Sequence, residues 1–240
     1  MFCRSAAEFA DRRGAGRRLA KALGHYRDIR PVVLALPRGG VPVGFEVARL
    51  LDAPIDVLLV RKIGAPGFPE LGLGAIVDGA EPPLVLNADV VASLAPDPGY
   101  IEAEKLRQLA ELARRRQRYS GASVPVAVRA RTVIVVDDGI ATGGTMKAAL
   151  HGLAREQPAG LVLAVPVAPA ESIRELATVV DDVVCLATPE PFYAVGAHYR
   201  DFTQTGDDEV VALLAEARRR YGAAALGQMP GSGKTKASLC

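Results

Sequence analysis

The stretch from Thr132 to Lys147 constrains this chain more than any other. Thr132 to Val136 is an unbroken β-branched run without polar alternation, the pattern of a short strand buried on both faces. It stops at Asp137 and Asp138, which places polar chemistry at the strand's carboxyl end. Gly139, Gly143 and Gly144 let the backbone turn tightly, and a helix starting near Thr145 aims N–H groups and a positive dipole end at one anion. Thr142 and Thr145 add hydroxyl donors. No lysine follows the second glycine, so the loop suits a monophosphate better than a nucleoside triphosphate. Two carboxylates beside such a cradle would repel a phosphate and should face sugar hydroxyls or a divalent cation. A plain Asp-Asp turn ahead of a glycine-rich cap is the alternative.

The same strand, glycine loop and helix order occurs earlier. Val32 to Leu36 runs into Pro37-Arg38-Gly39-Gly40, followed by Val43, Val47, Leu50 and Leu51 at helical spacing. In a parallel sheet both loops open on one edge, so Arg38 and the N–H groups of Gly39 and Gly40 can meet a second anionic group. Ile55 to Val60 reads as a third strand. The Gly- and Pro-rich residues 61–74 that follow read as a long lid loop, with Arg61 and Lys62 supplying positive charge at its base and Glu70 as an acid near the incoming nucleophile. Ala75–Val77 and Leu84–Leu86 form a hairpin about Asp78-Gly79, which extends the lid region to about residue 80. In helix 101–118, Ala103, Leu106, Ala110 and Ala113 mark the apolar face; Arg114, Arg115, Arg116 and Arg118 suit the helix dipole as a solvated face. Helices at 144–156, near 171–177 and at 207–221 alternate with strands at 161–165 and 183–186. This order predicts an α/β, doubly wound parallel sheet of about five strands, with ligand along its carboxyl edge.

At the start, Ser5 and Glu8 form a capping-box pattern for a helix through Phe9, Leu19 and Leu23, with Arg12, Arg13, Arg17 and Arg18 on its solvated face. A net charge of +2 over 240 residues argues against nucleic acid as a partner. The absence of a leader-like start or a spanning apolar run predicts a cytoplasmic protein with no membrane contact. Cys3, Cys185 and Cys240 have no metal-like spacing, and His25, His151 and His198 are scattered. Residues 188–206 carry four of the twelve Phe and Tyr residues, an aromatic cap at a site mouth. Residues 1–221 read as one domain and 222–240 as a disordered tail. In that tail Gly231-Ser-Gly-Lys-Thr235 lacks the spacing of a nucleotide loop, because Gln228 stands where its first glycine belongs.

Val133 to Thr145 resembles the phosphoribosyl-pyrophosphate (PRPP) motif of type I phosphoribosyltransferases, and the likeness extends over residues 5–221. The resemblance implies a core of that fold with a flexible lid hairpin and a small C-terminal hood. Asp137 and Asp138 would hold the ribose hydroxyls, and through them Mg²⁺. Ala141, Thr142, Gly143, Gly144 and Thr145 would wrap the 5′-phosphate, and Arg38, Gly39 and Gly40 the pyrophosphate, with a strained peptide there. Phe192 and Tyr193 become candidates for covering an acceptor base. Ala141 stands where 6-oxopurine enzymes carry an aspartate base, and Pro166-Val-Ala-Pro169 replaces the lysine that reads a purine 6-oxygen, so hypoxanthine and guanine are disfavoured. The implied activity is a Mg²⁺-dependent transfer of ribose 5-phosphate to a small-molecule nitrogen nucleophile, by a homodimer. The alternative is a non-catalytic PRPP-binding regulatory protein.

Overall fold

The computed structural model describes residues 8–79, 82–121 and 123–225, without the side chains of residues 69, 70 and 222–225. Five strands form one parallel sheet: β1 (Val32–Ala35), β2 (Ile55–Val57), β6 (Thr132–Val136), β7 (Gly160–Val167) and β8 (Asp182–Ala187), in the order β2-β1-β6-β7-β8. Its three central strands, β1, β6 and β7, are almost wholly apolar because both faces are covered, whereas the edge strands β2 and β8 carry Asp56 and Asp182; successive residues feed different cores. Val33, Ala35, Ile134 and Val136 pack beneath α1 (Arg12–Ala22), α2 (Gly40–Leu51) and α7 (Asp207–Ala225). Val32, Leu34, Val133 and Val135 pack beneath α5 (Gly144–Arg155) and α6 (Ala170–Leu176).

The chain winds outward from β1 to β2, then returns to lay β6 on the other side of β1 and continues to β7 and β8. The reversal falls between β1 and β6. A crevice opens at the carboxyl ends of strands at such a switch point, so the topology alone directs a ligand to the loops after residues 36 and 136.

Three local expectations change. Residues 61–74 are not an open loop: β3 (Val60–Ala65) and β4 (Phe68–Val77) pair as an antiparallel hairpin, and β5 (Leu84–Leu86) adds a third strand. The glycines that suggest a loop serve the sheet. Gly67, at φ +74, makes the turn; Gly64 lies at a register shift; and a Cβ on Gly74 would strike the Val85 carbonyl. The expected strand 55–60 accordingly divides between two sheets. After β5 comes the short α3 (Ala88–Leu94), capped by Asn87.

The opening helix starts later than expected. Asp11 caps α1, its Oδ1 accepting from Gly14 N at 2.6 Å. Phe9 stands outside the helix, bridged to Tyr199, and Ser5 lies outside the described residues. Gly16 lets α1 cross α2 closely, since a Cβ there would be 2.7 Å from the Val43 carbonyl.

The third change is the orientation of α4 (Pro98–Ser120), which buries the opposite side from the one expected. Glu104, Gln108, Leu112 and Tyr119 face inward, while Ala103, Leu106, Ala110 and Ala113 are exposed. Arg116 is not a solvated residue either: it reaches inward to Asp56, with both oxygens at 3.0 Å, and to Asp78. At the end of the chain α7 runs past Gly222 to Ala225, and residues 226–240, with Gly231 to Thr235, lie outside the described residues. Among the described residues no helix is long and apolar enough to cross a membrane.

Candidate active site

The loops after β1 and β6 meet where the topology directs them. Leu36 N donates to the Val136 carbonyl at 2.9 Å, carrying the strand pairing to the root of both loops. Beyond it the backbones close further: a Cβ on Gly40 would lie 2.9 Å from the Val136 carbonyl, and one on Gly39 would strike Asp138 Oδ2. Both glycines are therefore fixed by the approach of the second loop. The Pro37–Arg38 peptide is cis. Arg38 is half-exposed, and its Nη1 lies 3.9 Å from Asp207 Oδ1 at the start of α7.

In the second loop, Ile140 N donates to the Val167 carbonyl at 3.0 Å and Ser172 Oγ to the Ala141 carbonyl at 3.0 Å, which pins its outer side. Gly143 adopts φ +74 to enter α5. Among the described residues, the N–H groups of Ala141 to Thr145 and the hydroxyls of Thr142 and Thr145 find no partner in the protein. Open donors at the start of a twelve-residue helix have the geometry to cradle an anion.

Asp137 and Asp138 stand beside this cradle in different surroundings. Burial, with the neighbouring Asp138 charge, pushes the Asp137 carboxyl well above the usual carboxylate range. The Asp138 N–H donates to Asp137 Oδ1 at 2.8 Å. Asp138 has a cationic partner: Arg12 Nε donates to its Oδ2 at 2.7 Å, in a pair only 11% and 15% exposed.

Arg12 is the residue that sequence reasoning missed. The local pattern puts it on a solvated face, yet its Nη1 donates to the Thr203 carbonyl at 2.7 Å and its guanidinium lies 3.8 Å from the centre of the Phe202 ring. One signal points to it: Arg12 is the first residue of α1, where the helix dipole disfavours a cation, so a specific partner is needed. Tyr199 adds a second link, its hydroxyl donating to the Asp138 carbonyl at 2.5 Å. Burial and the two aspartates push the Tyr199 phenol upward, so it remains a donor.

The aromatic segment forms a hood. Phe9, Tyr199, Phe192 and Phe202 pack together, and the start of the chain is stitched to it by Phe9 N to the His198 carbonyl and Arg200 N to the Phe9 carbonyl, both at 2.9 Å. Phe192 is part of that packing, with His198 5.3 Å away, whereas Tyr193 is 79% exposed and stands outside the cluster. On the opposite side, Arg61 and Lys62 line a cavity whose wall includes Thr145 of the anion cradle. The side chain of Glu70 lies outside the described residues.

Among the described residues no group of three or more His, Cys, Asp or Glu converges as a metal site. Two adjacent carboxylates, one already paired with arginine, fit a divalent cation that brings most of its oxygen ligands with its substrate.

This geometry accords with known proteins. Residues 8–199 match the family profile described as the phosphoribosyl transferase domain. Two Mycobacterium tuberculosis proteins, one named "Putative phosphoribosyl transferase Rv0571c" and its counterpart from strain CDC 1551, are each 49% identical over 213 residues, or 89% of this chain. The chain spans about half the length of these curated relatives, 48%. The crystal structure of TT1426 from Thermus thermophilus superposes with a TM-score of 0.77 at 46% identity, covering 87% of this chain and 98% of that one. The five-stranded parallel sheet, the crevice at its switch point and these matches agree, and the chain belongs to the phosphoribosyl transferase family.

Proposed function

We propose that the protein transfers ribose 5-phosphate from PRPP to a nitrogen nucleophile and releases pyrophosphate. The observation that carries this reading is the meeting of the open N–H cradle at 141–145, the Asp137–Asp138 pair and the Gly39–Gly40 loop at one edge of the sheet. The 5′-phosphate would lie in the cradle, the ribose hydroxyls against the two aspartates, and the pyrophosphate toward Arg38, Gly39 and Gly40. Asp137 and Asp138 would be the residues closest to a Mg²⁺ carried by PRPP; when bound, that ion neutralises charge on the pyrophosphate.

In the transfer, the bond from the anomeric carbon to pyrophosphate breaks, a carbon–nitrogen bond forms and the acceptor gives up a proton. Ala141 cannot take that proton. The protein's contribution is placement and electrostatic stabilisation of separating charge, with Arg61 and Lys62 facing the departing anion. One observation favours a second reading, a PRPP-binding regulatory protein: Asp138 is already neutralised by Arg12. Screening nucleobases, amines and small alcohols for PRPP-dependent pyrophosphate release separates the two. Release with any acceptor supports transfer; PRPP binding without release across the panel supports regulation.

A further inference from the structure

Nothing within the 37–40 loop holds the Arg38 side chain: among the described residues its guanidinium makes no hydrogen bond, and Asp207 Oδ1, 3.9 Å from its Nη1, is the carboxylate it faces. Asp207 comes from the far end of the chain, as the first residue of α7. It is itself fixed. Tyr119 Oη donates to Asp207 Oδ1 at 2.7 Å, and Arg118 Nε lies 3.1 Å from Oδ2. Tyr119 is 4% exposed and belongs to the core packed beneath α2 and α7. A buried phenol at the end of α4 thus decides where the carboxylate points.

Neither stability nor the start of the helix accounts for this arrangement. The Arg38 and Asp207 side chains are 40% and 30% exposed, and an ion pair so open to water contributes little to a fold. The positive end of the α7 dipole is met equally by Asp208 and Glu209 in the same turn. Asp207 differs from them in its buried tether. The hydrogen bond from Tyr119, with the charges of Arg118, Arg38 and Arg115, holds the Asp207 carboxyl below its ordinary range against the effect of burial. Burial and Asp207 push the Tyr119 phenol upward, so the carboxylate stays charged and the phenol stays a donor. At 3.9 Å Asp207 attracts the guanidinium without taking any of its N–H groups. Arg38 is drawn in one direction while its donors stay open to an anion.

We propose that Asp207, held by Tyr119, is a positioning residue that aims Arg38 at the ligand of the 37–40 loop, a role that rests on the proposed function for that ligand. Arg38 touches the ligand; Asp207 and Tyr119 act through Arg38. A side chain already held in one direction loses less rotamer freedom on binding, so the effect appears as affinity.

Isothermal titration of the full chain with PRPP and Mg²⁺, and separately with ribose 5-phosphate, tests this in Asp207→Asn, Tyr119→Phe and Arg38→Ala, with thermal melts to verify that each variant is folded. Removing a negative charge should by itself tighten the binding of a polyanion. Positioning predicts the opposite: PRPP binds about three- to tenfold more weakly in Asp207→Asn and somewhat more weakly in Tyr119→Phe, with ribose 5-phosphate unchanged. In an Arg38→Ala background Asp207→Asn should have no further effect, because no guanidinium is left to aim. A structural role alone would lower affinity by the same factor in both backgrounds. Should Asp207→Asn fail to fold, Tyr119→Phe with and without Arg38→Ala makes the same comparison. Additive losses, or PRPP affinity unchanged or tighter in Asp207→Asn, would overturn the positioning role and leave the proposed function standing. No PRPP binding by folded wild-type protein would overturn both.

Discussion

The hood side and the hairpin side of the crevice handle charge in opposite ways. On the hood side Asp138 is matched by Arg12, which Thr203 and Phe202 hold in place, so the pair presents little net charge to a ligand. On the hairpin side Arg61, Lys62 and Arg107 outnumber Glu104. The crevice is thus compensated where a sugar would lie and positive where a polyanion would lie. Local pairing at one end and cationic excess at the other would orient a ligand such as PRPP along the sheet edge before it makes any specific contact.

The contrast breaks most completely at Gly39. A methyl group there would drive into the Asp138 carboxylate and push it out of its place beside Arg12. Gly39→Ala should reduce PRPP affinity about a hundredfold while far-UV circular dichroism stays native, an estimate that treats the loss as two charge-assisted contacts. Wild-type affinity in this variant would mean that the placement of the Asp138 carboxylate does not matter to PRPP.

Arg12→Ala unbalances the hood side alone. It leaves Asp138 charged and poorly solvated, at a cost of about 2–3 kcal/mol, below the cost of splitting a fully buried pair. For a domain of this size that corresponds to a fall in melting temperature of roughly 5–10 °C. Arg12→Lys, which keeps the charge but loses the planar stack on Phe202, should recover only part of it. An unchanged melt in Arg12→Ala would show that the pair contributes nothing to the fold.

A smaller effect comes from Asp137. Its folded carboxyl titrates above its unfolded value, so the protonated form is preferred in the folded state. Its contribution to stability is fully present below the unfolded value and is lost as pH rises through the folded one. Thermal melts of Asp137→Asn and wild type should therefore diverge as pH increases, with the variant gaining, and converge in acid, where the wild-type carboxyl is protonated in both folded and unfolded states. A gap that widens toward acid would reverse the assignment.

How much of this is legible in the sequence differs between the two sides as well. The cradle and the 37–40 loop are readable because each is contiguous: strand, turn glycines and helix start follow one another, and the buried parallel strands announce themselves as apolar runs. Arg12 meets Asp138 from 126 residues away and Tyr199 from 61, distances at which no local period carries information. The face of α4 misleads because the buried stripe contains Glu104 and Gln108, polar residues admitted by their own hydrogen-bond network, while Leu106 is 60% exposed. In the hairpin, glycine reads as loop punctuation although it serves close strand approach.

The central claim is that PRPP occupies the crevice between residues 37–40 and 137–145. Isothermal titration of the full chain with PRPP and Mg²⁺, beside the Asp137→Asn and Asp138→Asn double variant, tests it most directly. One PRPP should bind per wild-type chain, and a double variant that still melts cooperatively should lose that binding. No heat from folded wild-type protein at millimolar PRPP, or equal affinity in the double variant, would contradict it.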